Sequence, residues 1–289
     1  FYQAFRQITK IPKRLLYTLV FLMPSLLLFT SMMYKEGFLF FGLGLITYHA
    51  VQLEKAFQWR SIFGVLLGVF VFFLFREVFF LLILACLGLF FTGRILGWQS
   101  WKPYAITAIT GLFLGLSADA ILDQIDVLGI IATKQAAFIS EVGESDFEVP
   151  YLEPNIKGFA VFLPIALQNA FLRPFLWDLT EPYFAFTGIG MIIFLLLVLI
   201  RLLFPRKGYT PGPFLTTLIL FAWAVMLLVG YLVSNVGTIS RYRILAVFLM
   251  IIALANATDW AKLMQRLPML RVLIQTEQEG RNTPQKSEH

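Results

Sequence analysis

Four arginines lie at or near the predicted ends of long apolar segments, where a charged side chain can reach a membrane surface. They are Arg76, Arg173, Arg241 and Arg243. A guanidinium group stays ionised and donates two parallel hydrogen bonds to a phosphate. We therefore predict that these side chains bind an anionic group, such as the pyrophosphate of a lipid-linked substrate. The alternative is that each arginine snorkels to the interface or pairs with a nearby acid, as Arg76 with Glu77.

The segment 171–178 places Arg173 and Asp178 among aromatic residues that include Trp177. Aromatic rings stack on the C–H faces of sugars, and charged side chains hydrogen-bond to hydroxyl groups. We predict that Arg173, Trp177 and Asp178 bind a saccharide. An interfacial belt of aromatic side chains is the alternative interpretation.

The tripeptide Arg241-Tyr242-Arg243 follows the polar residues 234–240 and leads into an apolar segment. A polar loop that ends in two arginines at the mouth of a membrane span is typical of an anion site. All three residues are therefore predicted to bind substrate. In the alternative interpretation, Tyr242 is an interfacial anchor.

Two acids, Glu36 and Glu77, are predicted to be catalytic because they lie at span mouths beside cations. Activating a sugar hydroxyl requires a positioned carboxylate or a similar group. The simpler alternative is that Glu36 pairs with Lys35 and Glu77 with Arg76.

Metal and cofactor chemistry is not indicated. Asp119, Asp123 and Asp126 have oxygen ligands suited to a divalent cation, but solvating a helix face near its N-terminus is the favoured interpretation of these acids. The two histidines, His49 and His289, are far apart, and the chain has none of the common nucleotide, metalloprotease or hydrolase motifs. We predict no cofactor and no metal site.

The amino-acid composition indicates whether the chain is soluble or lies in a membrane. The 289-residue chain is 59% hydrophobic and only 14% charged, whereas soluble domains are about 45–50% apolar and about 25% charged. This excludes a soluble enzyme, a disordered chain and a disulfide scaffold, and it predicts a protein of the lipid bilayer. The net charge of +6 is then explained by cytoplasmic loops, so no nucleic-acid partner is expected.

The apolar runs predict an all-α, polytopic membrane helix bundle of about eight transmembrane helices, with amphipathic helices on its outer face. The predicted spans are 15–32, 36–52, 61–75, 77–92, 104–118, 183–203, 213–234 and 243–257. The long run 61–92 is divided into two spans because Arg76-Glu77 lies near its middle, where charge is costly in hydrocarbon.

The charges predict the orientation. With eight crossings and a cytoplasmic N-terminus, the inner pieces carry 16 Lys/Arg and 5 Asp/Glu, and the outer pieces carry 7 and 12. Basic residues concentrate on the cytoplasmic side of membrane proteins. Both termini are therefore predicted to be cytoplasmic, which places the four arginines on the acidic outer side.

The chain is predicted to form a transmembrane domain over 1–257, with an outer-face segment at 119–182, and a cytoplasmic amphipathic helix and polar tail over 258–289. The outer segment begins with an amphipathic helix near Ser117, continues through an acidic loop at 141–156, and ends in a re-entrant or interfacial helix over 157–174. Pro268 is expected to kink or split the helix after the last span.

Three short motifs resemble segments of bacterial O-antigen and capsular polysaccharide polymerases and the related lipid-linked-sugar glycosyltransferases. The residues concerned are Pro24–Ser31 followed by Lys35-Glu36, then Gly143–Phe147 together with Leu172–Phe175, and finally Arg241-Tyr242-Arg243. The resemblance touches most of 15–257, although this chain has fewer spans than such polymerases and a modest outer loop without histidine.

The resemblance implies an inner-membrane enzyme that joins saccharides carried on undecaprenyl pyrophosphate at the periplasmic face. By position, it implies that Arg76, Arg173, Arg241 and Arg243 bind pyrophosphate or sugar and that Glu36 is the acid or base. The expected partners are the bilayer and a lipid-linked saccharide.

Since no strong catalytic motif is present, a second hypothesis is a non-catalytic membrane subunit or scaffold. In that case the segments 119–140 and 258–275 would dock other membrane subunits. A lipid or saccharide transporter is a weaker third hypothesis, because the paired broken helices of many carriers are missing.

Overall fold

A computed structural model describes residues 1–32, 34–116, 126–141, 143, 145–178 and 182–269. This part of the chain is helical, with no strand beyond two isolated bridges. The helices are α1 (Tyr2–Ile8), α2 (Lys13–Phe21), α3 (Pro24–Ser31), α4 (Lys35–Lys55), α5 (Trp59–Phe75), α6 (Glu77–Ile95), α7 (Trp101–Leu116), α8 (Val127–Ser140), α9 (Ile156–Phe171), α10 (Pro182–Leu203), α11 (Pro213–Leu232), α12 (Val236–Ala257) and α13 (Trp260–Arg266).

Five helical segments are long and apolar enough to cross a membrane, which confirms the prediction of an all-α membrane protein. They are Lys13–Ser31, Glu77–Ile95, Phe186–Leu203, Pro213–Leu232 and Val236–Ala257. The other three predicted spans are also helical where the structure describes them. Of these, α5 with 17 residues and α7 with 16 are short, and α4 carries glycines and polar residues along its length.

The first long segment contains a break that the predicted continuous span over 15–32 does not include. The helix α2 ends at Phe21, and α3 begins at Pro24, which occupies the first helical position. A proline there needs no backbone hydrogen bond and starts a helix readily.

The centre of the bundle is α12, whose residues from Arg243 to Ile252 are all buried. A helix that is apolar on all sides must be surrounded by other helices. Its neighbours include α11 and α10, while α9 packs mainly on α11, and α4 pairs with α5 as a hairpin. The core therefore lies around the two last long helices of the chain.

Polar contacts gather at two opposite ends of the helices. At one end, the Val236 N–H donates to the Ser145 carbonyl (3.0 Å), and Arg76 pairs with Glu36; we call this the Glu36 end. At the other end, the Lys10 N–H donates to the Asn256 side chain (2.8 Å); we call this the Asn256 end.

The five chain pieces predicted to share the cytoplasmic side all contribute to the Asn256 end. Arg94 donates to the Leu53 carbonyl, and the Asp259 N–H donates to the Phe204 carbonyl (2.9 Å). These bonds join 53–60 to 93–103 and 204–212 to 258–269, and the Lys10 contact holds 1–14 at the end of α12. The loops that meet at this end are ones that the charge pattern assigns to one side, while the side itself stays a prediction.

The predicted polar loop at 234–240 is wrong for most of its length, because α12 begins at Val236. Asn235 caps this helix, and its side chain accepts a hydrogen bond from the Thr238 N–H (3.0 Å). Such a cap satisfies a backbone donor that has no partner within the helix. Arg241 and Arg243 therefore lie in the second turn of α12 instead of preceding it.

The described parts of the outer and C-terminal segments contain helices and a loop in the predicted order, and the helices are shorter than predicted. In this region α8 spans Val127–Ser140 and α9 spans Ile156–Phe171. Between these helices the described residues 143 and 145–155 are not helical. The predicted start of the first amphipathic helix near Ser117 lies outside the described residues. The C-terminal helix α13 ends at Arg266, two residues before Pro268.

Substituting Gly68 tests the α4–α5 hairpin. A Cβ atom at this position would lie 2.6 Å from the Gly42 carbonyl oxygen of the facing helix, and small residues allow such close helix approach in membranes. We expect Gly68→Ala to reduce stability by about 1–3 kcal/mol through overpacking, measured as a lower melting temperature of the purified protein.

The matched control is Gly88→Ala in α6, where nothing lies within 4 Å of the new Cβ atom. We expect no loss of stability for this variant. Equal melting temperatures for the two variants would contradict the close α4–α5 contact.

Candidate functional site

Glu36 is the centre of the polar contacts at the Glu36 end. It lies in the first turn of α4, where the partial positive charge of the helix N-terminus favours a carboxylate, and it is only 2% exposed. The Arg76 guanidinium lies 3.0 Å from Glu36 Oε1, and Arg241 Nε lies 3.5 Å from the same oxygen. Residues from the α5–α6 turn and from α12 thus converge on one carboxylate.

Two tyrosines complete this arrangement. The Arg76 guanidinium lies 3.7 Å from the centre of the Tyr242 ring, and that of Arg241 lies 5.3 Å from the rings of both Tyr34 and Tyr242. A cation over an aromatic face is stabilised by the ring quadrupole. We call Tyr34, Glu36, Arg76, Arg241 and Tyr242 the Glu36 cluster.

The Glu36 cluster carries one more positive than negative charge, since two guanidinium groups share one carboxylate. The side chains of Arg76 and Arg241 are 21% and 30% exposed, so both guanidinium groups are partly open to the surface. Partly exposed guanidinium groups with excess positive charge are suited to bind an anion.

The predicted pairing of each acid with its sequence neighbour is wrong. Glu36 pairs with Arg76 and Arg241 instead of Lys35. Glu77, the other predicted catalytic acid, is exposed, and no ion pair among the described residues involves it. The helix geometry explains this, because adjacent residues on a helix point in different directions.

Arg173 and Asp178 form a separate, charge-balanced pair. Arg173 Nη1 donates to both carboxylate oxygens of Asp178 at 2.9 and 3.1 Å, and Arg173 Nε donates to Asn169 Oδ1 (3.2 Å). The guanidinium also lies 3.6 Å from the centre of the Phe147 ring. Burial lowers the pKa of Arg173, and the Asp178 carboxylate opposes that change. Most of the binding capacity of Arg173 is therefore used within the protein.

Trp177 lies beside this pair but faces away from the protein. Its side chain is 74% exposed, and its ring stacks on Phe175 with centroids 4.8 Å apart. The short 3₁₀ turn Leu176–Asp178 turns Asp178 inward, where it also accepts the Phe175 N–H (2.9 Å). An exposed aromatic platform remains available to a ligand.

Arg243 is placed differently from the other predicted arginines. It is 2% exposed, and its Nη1 donates to the backbone carbonyls of Asn169 (3.4 Å) and Ala170 (2.8 Å). These carbonyls belong to the last turn of α9, where a cation is favoured. Since residues two apart lie on opposite faces of a helix, Arg241 reaches the surface cluster while Arg243 is directed inward.

A cleft of about 660 Å³ opens at the same end. Its lining comprises Ile139, Asp146, Phe147, Glu148, Val149, Pro150 and Ser234. Asp146 is held by the Gly143 N–H (2.5 Å) and by Asn235 Nδ2 (2.8 Å). The sequence predicted an acidic loop here but no cleft, because the cleft arises from the docking of that loop on the α11–α12 junction.

The cleft is connected to both groups of arginines through aromatic contacts. The Phe147 ring lines the cleft, and the Arg173 guanidinium lies over its face. Phe138, next to Ile139 of the lining, meets the Tyr242 ring edge-on at 6.4 Å. Contacts therefore lead from the cleft to Arg173 and to Tyr242 of the Glu36 cluster.

No group of three or more metal-ligating side chains is found in the part of the chain that the structure describes. Asp126 accepts the Gly129 N–H (2.6 Å) as the cap of α8, which agrees with the helix-end interpretation. Asp119 and Asp123 lie outside the described residues.

Comparison with protein-family models, with curated proteins and with solved structures finds no match.

Replacing Glu36 tests whether it holds the cluster together. In Glu36→Gln the two guanidinium groups lose their shared counter-charge, and removing one partner of a buried ion pair is strongly destabilising. Because both arginines are partly exposed, we expect a smaller loss of about 2 kcal/mol, measured by thermal or denaturant unfolding.

Glu77→Gln is the matched control, since this acid is exposed and also occupies the first turn of a helix. We expect it to cost less than about 1 kcal/mol through the helix dipole alone. The cluster would have no structural role if both substitutions had equal effects.

Proposed function

We propose that this protein is a bacterial inner-membrane glycosyltransferase or polysaccharide polymerase-like enzyme that acts on undecaprenyl-pyrophosphate-linked saccharides. The observation that carries the proposal is the excess positive charge of the Glu36 cluster, where two partly exposed guanidinium groups share one carboxylate. In this proposal the chain crosses the membrane eight times, both termini are cytoplasmic, and the Glu36 end faces the periplasm.

Arg76 and Arg241 are the proposed ligands of the pyrophosphate. Both side chains are partly exposed, and both stay ionised at any physiological pH. Glu36 holds the two side chains in place, and the Tyr242 ring supports the guanidinium of Arg76. This arrangement leaves a net charge of +1 for a lipid-linked anion.

The cleft beside the cluster is the proposed saccharide site. Its volume of about 660 Å³ lies within the range of about 300–1,000 Å³ typical of small-molecule sites. Asp146 and Glu148 can accept hydrogen bonds from sugar hydroxyls, and the exposed Trp177 ring offers a stacking surface near the same end. A phosphate is disfavoured in the cleft itself because two carboxylates line it.

Glu77 is the proposed general base for the acceptor hydroxyl. It follows Arg76 directly and is exposed, whereas Glu36 is buried and engaged with two cations. A base must reach the hydroxyl whose proton it removes. Glu36 is thus assigned to positioning and Glu77 to proton transfer.

The double variant Arg76→Gln/Arg241→Gln tests the anion site. With the protein in nanodiscs and an undecaprenyl-pyrophosphate-linked oligosaccharide as ligand, we expect binding to weaken roughly 10- to 100-fold, because a hydrogen bond to a charged group contributes about 1.5–3 kcal/mol. Elongation of the oligosaccharide, followed by gel electrophoresis, should fall in parallel.

Arg60→Gln is the control for this experiment, since Arg60 is exposed and lies in the first turn of α5 at the Asn256 end. It should bind and elongate like the unmodified protein. Unchanged binding in the double variant would refute the anion site. Normal binding without any elongation, even in the unmodified protein, would favour the non-catalytic subunit.

Single cysteines test the orientation. In a Cys86→Ser background, Trp177→Cys at the Glu36 end should react with a membrane-impermeant maleimide added to spheroplasts, because the side chain is 74% exposed. Arg60→Cys should react only after the membrane is opened. The reverse labelling pattern would invert the proposed topology.

A further inference from the structure

The chain pieces that meet beside Asn256 carry a strong excess of positive charge. The stretches 1–14, 201–212 and 258–269 contain nine Lys or Arg residues and a single acid, Asp259. This acid is already engaged, because it accepts the Lys262 N–H (3.2 Å) as the cap of α13 and lies 3.6 Å from Lys262 Nζ. The other cations of these stretches therefore have no second carboxylate within them.

The loop between α10 and α11 is fixed against the end of α12. The Arg206 N–H donates to the Ala257 carbonyl (3.1 Å), and the Tyr209 N–H donates back to the Arg206 carbonyl (3.3 Å). Gly208 has a φ of 66° in this turn, a conformation that favours glycine. The turn therefore holds Arg206, Lys207 and Tyr209 in a defined arrangement.

Tyr209 lies where cations from distant parts of the chain meet. Asn256 Nδ2 donates to the Tyr209 hydroxyl (3.1 Å), and Asn256 Oδ1 accepts the Lys10 N–H (2.8 Å). The Arg206 guanidinium lies 5.9 Å from the centre of the Tyr209 ring. Burial raises the pKa of Tyr209, while the Asn256 hydrogen bond and the charges of Arg206 and Arg201 oppose that rise. Lys10, Arg201 and Arg206 are therefore close to one tyrosine side chain.

These cations have hydrogen-bond donors to spare. No ion pair among the described residues includes Lys10, Arg201 or Arg206. The only side-chain hydrogen bond of Arg206 within the described structure runs from Nη1 to the Asn256 carbonyl at 3.5 Å. The Tyr209 hydroxyl accepts one hydrogen bond and can still donate its own proton. Several donors and an excess of positive charge suit a multivalent acceptor such as a phosphate.

The position of Arg201 along α10 indicates that this phosphate belongs to a lipid. Arg201 lies in the last turn of a helix that is long and apolar enough to cross a membrane. The next two residues, Leu202 and Leu203, are 72% and 63% exposed. Exposed leucines at the end of a span contact lipid chains, and basic side chains at the same level reach the headgroups.

We propose that Arg201, Arg206 and the Tyr209 hydroxyl bind the phosphate of an anionic phospholipid. Lys10 and Lys207 lie at the rim and add to the positive charge. Guanidinium groups donate paired hydrogen bonds to phosphate oxygens, and the tyrosine hydroxyl donates one more. The net negative charge of the headgroup balances the excess charge of the loop. This lipid site is independent of the proposed function, because it lies at the end of the helices opposite to the Glu36 cluster.

The first experiment titrates delipidated protein in neutral detergent with dioctanoyl phosphatidylglycerol. Native mass spectrometry should show one saturable lipid, and the melting temperature should rise with lipid concentration, because a ligand of the folded state stabilises it. Dioctanoyl phosphatidylcholine has a phosphate but no net charge and should bind at least 10-fold more weakly. Glycerol 3-phosphate, which has no acyl chains, should not bind in the same range. Equal binding of either compound would overturn the proposal.

A pair of double variants separates a defined site from diffuse attraction. Arg201→Gln/Arg206→Gln should weaken phosphatidylglycerol binding roughly 10- to 100-fold. Arg60→Gln/Lys102→Gln is the matched control, since it removes the same charge from exposed residues in the first turns of α5 and α7 at the same end. The control should bind like the unmodified protein. An equal loss in both double variants would show diffuse attraction alone and would refute the site.

Tyr209→Phe keeps the test valid if the arginine variant does not fold. It changes no charge, so diffuse attraction is unaffected, but it removes one donor and should weaken binding roughly 3- to 10-fold. Tyr17→Phe is its control, because Tyr17 is 51% exposed on α2 and lies outside the proposed site. Unchanged affinity in Tyr209→Phe would contradict the proposed set of phosphate ligands.

Discussion

The polar structure of the Glu36 end depends on one carboxylate that two guanidinium groups share. Glu36 begins α4, Arg76 joins α5 to α6, and Arg241 lies in the second turn of α12. Since the apolar faces of these helices are interchangeable in a bilayer, hydrophobicity alone does not set their register. A charge contact buried at the helix ends does, because sliding one helix would separate ions in a poorly hydrated region.

The same constraint explains the arrangement of α12. Its second turn presents Arg241 to the surface cluster and Arg243 to the interior, where the last carbonyls of α9 accept its hydrogen bonds. One helix therefore carries one cation in a partly exposed cluster and another in the buried core. The aromatic rings of Phe138 and Tyr242 connect the surface cluster to the neighbouring cleft, and Phe147 connects the cleft to Arg173.

The Glu36 end combines two chemistries in adjoining places. The cluster has excess positive charge, while the cleft is lined by the carboxylates Asp146 and Glu148. A ligand with an anionic head and a hydroxyl-rich body matches this order, since guanidinium groups bind the anion and carboxylates accept hydrogen bonds from hydroxyls. This complementarity is the physical basis of the proposed lipid-linked saccharide substrate.

Composition and apolar runs by themselves determined that the chain is an all-α membrane protein, because no soluble fold can bury so many apolar side chains. The distribution of charge also assigned to one side the loops that carry Lys10, Arg94 and Asp259, whose contacts lie at the Asn256 end. The apolar composition and the charge distribution are both sums over many residues. Predictions from them therefore hold even when a helix end is misplaced by a few positions.

Only the tertiary structure decided which charges meet. Nearest neighbours in sequence suggested Lys35 for Glu36 and Glu77 for Arg76, yet Glu36 pairs with arginines 40 and more than 200 positions away. The tertiary structure also directs Arg241 and Arg243 to opposite faces of α12. It forms the acidic cleft where a loop docks on the α11–α12 junction. Such contacts depend on helix rotation and packing, which are properties of neighbouring helices and cannot be read from the local sequence.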